Sequence, residues 1–268
     1  MKPAVTLALD PAFAAGPFVF HGDLAPGVEF ACRHGFAAVE LFPAGPDALD
    51  PAAVRRELGG MPVSAVGTGA GWVIHKLSLT SPDASVRQKA VDFVRRMADF
   101  AAALAAPVIV GSMQGRWGDG VSKETALGWL GEALAEIGEY ARPQPLLFEP
   151  LNRYESNLTN TLADAVGLLT AAGAANVKVL ADLFHMNIEE ADLPAAVRSA
   201  GSAIGHVHLA DSNRRAAGLG HTDFPPIGSA LREVGYVGYL SAEVFPLPDP
   251  DTAAATTLRT LRELAATR

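Results

Sequence analysis

Residues 145–150 read PLLFEP, and three later runs share that design: VKVLAD (177–182), IGHVHL (204–209) and GYLSAEV (238–244). Each is a short apolar run that carries a potential metal ligand at or near its end: Glu149, Asp182, His208 or Glu243. Helix-length segments separate the four. Parallel strands need crossovers of that length, and strands joined in this way all point in one direction. The residues at their C-terminal ends therefore gather on one rim.

Four earlier runs complete the series: AVTLAL (4–9), AAVELF (37–42), PVSAVG (62–67) and PVIVGS (107–112). Eight strand–helix repeats in 268 residues predict an α/β protein, a single (β/α)8 TIM barrel spanning residues 1–268. The rival arrangement is an open doubly wound sheet, which gives no reason for four ligand-type side chains to share a circle. Helical spacing is clearest in SPDASVRQKAVDFVRRMADFAAALAA (81–106), where Val86, Ala90, Phe93, Met97, Phe100 and Leu104 recur every three or four residues. Pro82 and Asp83 open that segment and Pro107 follows it. Gly35, Gly60, Gly205 and Gly235 read as helix stops ahead of strands.

Apolar residues make up 49% of the chain and charged residues 19%, enough to fill a barrel and the shell around it. The one cysteine, Cys32, excludes an internal disulfide framework and reads as a small buried hydrophobe on a helix, which suits a reducing, cytoplasmic setting. MKPAVTLALD is broken by Asp10 and reads as a first strand, not a signal peptide. No run is long and apolar enough for a membrane span. With 29 acidic and 21 basic side chains, a net charge of −8 and no basic run, nucleic acid is not an expected partner. No G-x-G-x-x-G follows the first strand and no P-loop is present, so nucleotide cofactors have no support.

The four strand-end residues carry the chemistry. Glu149 precedes Pro150 and so projects where its strand breaks into a loop, and Glu243 closes its run before a proline-rich loop. His185 lies three residues beyond Asp182, over the same mouth. His206 and His208 face the same way along their strand. His208 is assigned to the outermost layer, and His206 to a hydrogen-bonded interior position one layer down. Three carboxylates and an imidazole suit a divalent cation, Mn²⁺, Co²⁺ or Mg²⁺, over a structural Zn²⁺, and Mn²⁺ is the expected one. The loops GTGAGWVIHKLSL (67–79) and MQGRWGDG (113–120) are expected to wall the site, with Trp72 and Trp117 offering apolar faces to a ligand.

The segments EPLNRYESN, DLFHMNIEE and HVHLADSNRRAAGLG resemble those of the sugar-isomerase-type TIM barrels, the xylose isomerase-like superfamily, and most closely the ketose 3-epimerases. From Glu149 the next ligand positions fall 33, 59 and 94 residues on, a spacing similar to that family's. The resemblance covers mainly residues 145–245. It implies that Glu149, Asp182, His208 and Glu243 bind the metal and that Glu155, His185 and Arg214 hold the first oxygens of the sugar. The sequence departs from the epimerases in GHTDF (220–224), where His221 and Asp223 stand, and in a first strand without aromatic residues.

Such a site would deprotonate a ketose next to its carbonyl, the cation stabilising the enediolate as a Lewis acid. With Glu149 and Glu243 on opposite sides of the sugar, one removes the C3 proton and the other returns one to the opposite face. That inverts C3. The same ligands would serve an aldose–ketose or hydroxypyruvate-type isomerase with one shuttling base, and GHTDF keeps open a keto-sugar or inosose dehydratase or lyase. A DNA-repair endonuclease of this ancestry needs several zinc ions and more than seven histidines, and a non-catalytic sugar-binding barrel has no need of two opposed glutamates. The expected substrate is a small unphosphorylated sugar and the expected assembly a homo-oligomer, dimer or tetramer. Arg214 as a phosphate clamp, with Gly218–Gly220 as its cradle, is the competing expectation.

Overall fold

The computed structural model describes residues 1–266. Nine strands run in chain order: β1 (Lys2–Ala8), β2 (Phe20–His21), β3 (Ala38–Phe42), β4 (Val63–Gly67), β5 (Val108–Val110), β6 (Leu146–Phe148), β7 (Val177–Asp182), β8 (Ile204–His208) and β9 (Tyr239–Ala242). Every pairing between them is parallel, and β1 pairs with both β3 and β9. That last pairing closes eight strands into a ring. The two-residue β2 is additional. It pairs with Leu7 and Ala8, above the point where the pairing of β9 with β1 ends at Val5, and so raises the wall beside the C-terminal end of β1.

The helices are α1 (Leu24–His34), α2 (Pro51–Leu58), α3 (Ala70–Val73), α4 (Ala84–Ala103), α5 (Lys123–Tyr140), α6 (Leu162–Ala171), α7 (Leu183–Glu189), α8 (Leu193–Ala200), α9 (Phe224–Glu233) and α10 (Pro250–Ala266). Eight of them link or follow the ring strands, while the short α3 and α7 sit in the loops after β4 and β7. Their boundaries follow from capping. Asp83 accepts the Ser85 N–H at the start of α4, and Thr161 and Asp164 form a reciprocal capping box at α6. Gly35 ends α1 in the left-handed conformation with φ of 90°, where a Cβ would be strained.

Two layers of apolar side chains result. The outer one lies between ring and helices, where Val94, Met97 and Phe100 of α4 are buried. Burial of each such side chain contributes roughly 1.5–3 kcal/mol. Inside the ring, Ala65, Ile109, Leu147 and Leu180 form a separate small cluster. The period of two along a strand then fixes what lies above it: two residues on from Leu147 is Glu149, and two on from Leu180 is Asp182.

Two sequence expectations are corrected here. Cys32 is exposed on the outer face of α1, because one turn of that helix faces solvent between the buried Ala31 and the C-terminal end. Gly205 does not stop a helix. It lies within β8, where a Cβ would come 2.5 Å from that of Lys178, and the residue after α8 is Gly201, with φ of 53°.

Candidate active site

The mouth of the barrel gathers Glu149, Asp182, His208 and Glu243, whose ligand atoms all lie within 4.8 Å of one another. His208 Nδ1 is 3.5 Å from Glu149 Oε1, 3.7 Å from Asp182 Oδ2 and 3.4 Å from Glu243 Oε2. All four side chains are buried. Local structure aims Asp182 and Glu149. Asp182 ends β7 and caps α7, accepting the Phe184 N–H on Oδ1 at 2.8 Å, which leaves Oδ2 for the centre. Glu149 is anchored by its own N–H on Val110 O, and Gly111 beside it has no Cβ because one would meet Glu149 Oε2.

The donor set fits a divalent cation. Glu149 Oε1 and His208 Nδ1 are buried and have no hydrogen-bond partner, a cost that a cation between them removes. The charges point the same way. Burial raises the carboxyl pKa of Glu149, with its neighbour Glu243 adding to the effect. Burial also works against ionising Asp182 and Glu243, but His185, Arg214 and His208 around Asp182, and His208 and Arg214 around Glu243, hold both below the ordinary range. His208 is pushed well above its ordinary value, against its own desolvation, by Glu243 and Glu40. A proton thus stands in for positive charge that a bound cation would supply, and would be displaced by it.

Beside this centre lie His185, Arg214 and Glu155. His185 Nδ1 meets the Asn152 Nδ2 at 2.8 Å and its backbone N–H at 3.2 Å, so Nδ1 accepts and Nε2 carries the hydrogen. That Nε2 lies 3.5 Å from Asp182 Oδ2 and 3.7 Å from Glu149 Oε1, a donor at the edge of the centre. Arg214 donates to Glu243 Oε2 at 2.5 Å and Asp182 Oδ2 at 3.4 Å, stands 3.5 Å from Glu155 Oε1 and lies over the Phe184 ring. Its backbone is left-handed, with φ of 58°, fixed by Arg214 N–H to Asp211 O and Phe245 N–H to Arg214 O, both 2.8 Å. Asn152 also donates to Glu155 Oε1 at 3.0 Å, so one amide sets both Glu155 and His185.

These groups face a cavity of about 510 Å³. Its apolar walls are Phe13, Phe18, Phe42, Leu151, Phe184 and Phe245. Trp72 and Trp117 are each 42% exposed and do not line it; Trp117 is tied by its indole N–H to Asn157 O. Part of the aromatic wall, Phe13 and Phe18, comes from PAFAAGPFVF (11–20), the segment that leads into β2 against β1. His221 and Asp223 sit on the exposed loop before α9, outside the cavity. The Gly218–Gly220 segment is not an open cradle, because Asp211 accepts the N–H groups of Ser212, Gly218 and Thr222 at 2.7, 2.8 and 3.0 Å. His206 is buried, its Nε2 2.7 Å from Glu40 Oε2. Sequence reading missed Asn152, Phe13, Phe18 and Glu40. For Glu40 the available signal was a lone carboxylate inside the apolar run AAVELF.

A profile described as the xylose isomerase-like TIM barrel matches residues 28–264. A D-psicose 3-epimerase of Agrobacterium fabrum is 36% identical over 174 residues, 63% of this chain and 60% of that protein. An L-ribulose 3-epimerase of Mesorhizobium japonicum is 34% identical over 206 residues, 74% of this chain and 69% of that protein. Among solved structures, a D-psicose 3-epimerase crystallised in the presence of D-fructose superposes with a TM-score of 0.82 at 26% identity, covering 98% of this chain and 99% of the other.

Proposed function

Because the chain belongs to the xylose isomerase-like TIM barrel family, we propose that it is a metal-dependent epimerase that inverts C3 of a free ketose through an enediolate. The observation that carries this reading is the pair Glu149 and Glu243. They follow β6 and β9, with β7 and β8 between them, and both face the cavity. Two carboxylates arriving from separate strands can serve the two faces of one carbon. The relatives named as D-psicose and L-ribulose 3-epimerases support a ketose substrate.

Glu149, Asp182, His208 and Glu243 would hold the cation, Mn²⁺ in this reading, which supplies Lewis-acid stabilisation of the developing negative charge. The chain's own groups do the rest. His185 Nε2–H and the Arg214 guanidinium donate to the oxygens at the C1 end, and Glu155 accepts from a sugar hydroxyl. That grip leaves C3 between the two glutamates. One removes the C3 proton and the other returns one from the opposite side. An unphosphorylated sugar is supported by the loop amides already bound to Asp211.

No described helix is long and apolar enough to cross a membrane. One barrel domain, a cytoplasmic setting and a homo-oligomer, dimer or tetramer, belong to the same reading, the last supported by the exposed Trp72, Trp117 and Tyr154. Incubation with Mn²⁺ and D-fructose, D-tagatose or L-ribulose separately tests the reaction. The C3 epimer of at least one is expected. An aldose as the sole product would move the assignment to a 1,2-isomerase, and an unsaturated product to a lyase.

A further inference from the structure

β3 contributes no ligand to the cation centre, yet it places a carboxylate beneath it. Glu40 has no exposed surface and faces the barrel interior. Its Oε1 is 2.8 Å from His208 Nε2, and its Oε2 is 2.7 Å from His206 Nε2. β3 and β8 are not neighbours, since β1 and β9 stand between them in the ring, so these contacts cross the interior. The Ser64 hydroxyl also lies 3.5 Å from Oε2.

The chemistry of the contacts fixes hydrogens. A carboxylate only accepts, so both Nε2 atoms must be the donors. A neutral imidazole has one N–H, and for His208 it is therefore on Nε2. Once a cation displaces the second proton, the lone pair is on Nδ1, the atom that faces Glu149, Asp182 and Glu243 at 3.4–3.7 Å. The spacings of 2.7 and 2.8 Å are donor–acceptor lengths, which makes Glu40, His206 and His208 a hydrogen-bonded clamp and not a second ion site.

We propose that Glu40 is a positioning residue for the cation centre. One of its oxygens holds His208 in the Nε2–H form with Nδ1 free to ligate. The other is tied to His206, which stops the carboxylate from rotating away. This rests on reading the four-residue centre as a cation site but not on which sugar is bound.

The test is Mn²⁺ titration by calorimetry of the wild-type protein and of Glu40→Gln, each with its circular dichroism recorded. A carboxamide accepts from one imidazole only and must donate to the other, so the clamp cannot survive intact. One ion per chain is expected for the wild type, with ~10–100-fold weaker Mn²⁺ binding in the folded variant, the range typical when a group behind a ligand is lost. Affinity within twofold of wild type would overturn the proposal, as would two ions per chain. A wild type that binds no ion would instead sink the cation-site reading itself. Should Glu40→Gln fail to fold, ¹⁵N shifts of the His208 ring in Mg²⁺-loaded wild type decide: a proton on Nε2 and none on Nδ1 supports the clamp, and the reverse tautomer contradicts it.

Discussion

Glutamine at position 243, or at position 149, is expected to cut turnover by ~10²–10⁴-fold at saturating Mn²⁺, the usual contribution of a positioned acid or base. The amide oxygen of glutamine still offers a lone pair to a cation, so the change is aimed at proton transfer more than at ligation. Glu243 is the sharper case. In the resting centre it already receives the Arg214 N–H at 2.5 Å, and a neutral amide would leave that guanidinium with two of its three carboxylate partners. The measurement is kcat on a ketose with the bound metal counted in the same samples. Loss of turnover with metal retained is the expected result for each variant. Turnover within a few-fold of wild type would remove that glutamate from the proton pathway.

Stripping the protein with a chelator is expected to abolish activity, and adding Mn²⁺ or Co²⁺ to restore it. The buried centre carries Glu149, Asp182 and Glu243 against Arg214 and His208. Its acids lose their counter-charge when the cation leaves, so stability should fall with activity. Binding at a hundred times Kd stabilises by about 2.7 kcal/mol, enough to raise Tm by several degrees in a chain of this size. A thermal melt with and without Mn²⁺ therefore reads the same site independently of catalysis. Full activity in protein free of metal would contradict the account.

The barrel was legible because each ring strand is an apolar run bounded by turn residues, and the eight predicted runs overlap the eight ring strands with end shifts of no more than two residues. The convergence of Glu149, Asp182, His208 and Glu243 on one rim was legible because all four stand at the ends of such runs. What lies outside that grammar was not. β2 is two residues long and has no period to detect, so the aromatic wall that it brings, Phe13 and Phe18, could not be read from a first strand lacking aromatics. Trp72 and Trp117 carry no positional signal: the same side chain serves a core, a wall or a surface, and here both lie on the surface. Glu40 is invisible for a different reason. Its partners are 166 and 168 residues away, and only closure of the ring brings β3 and β8 within reach of one carboxylate. Asn152 sits in the quoted motif, but its role depends on a side-chain fork that spacing does not encode.

The central claim is that two separate carboxylates act on C3, and turnover in D₂O tests it most directly. The group that returns the proton would not be the one that removed it, so solvent deuterium should appear at C3 of the epimerised ketose, located by NMR of the product. Deuterium at C1 or C2 with C3 unlabelled would contradict the account and assign the site to a single shuttling base.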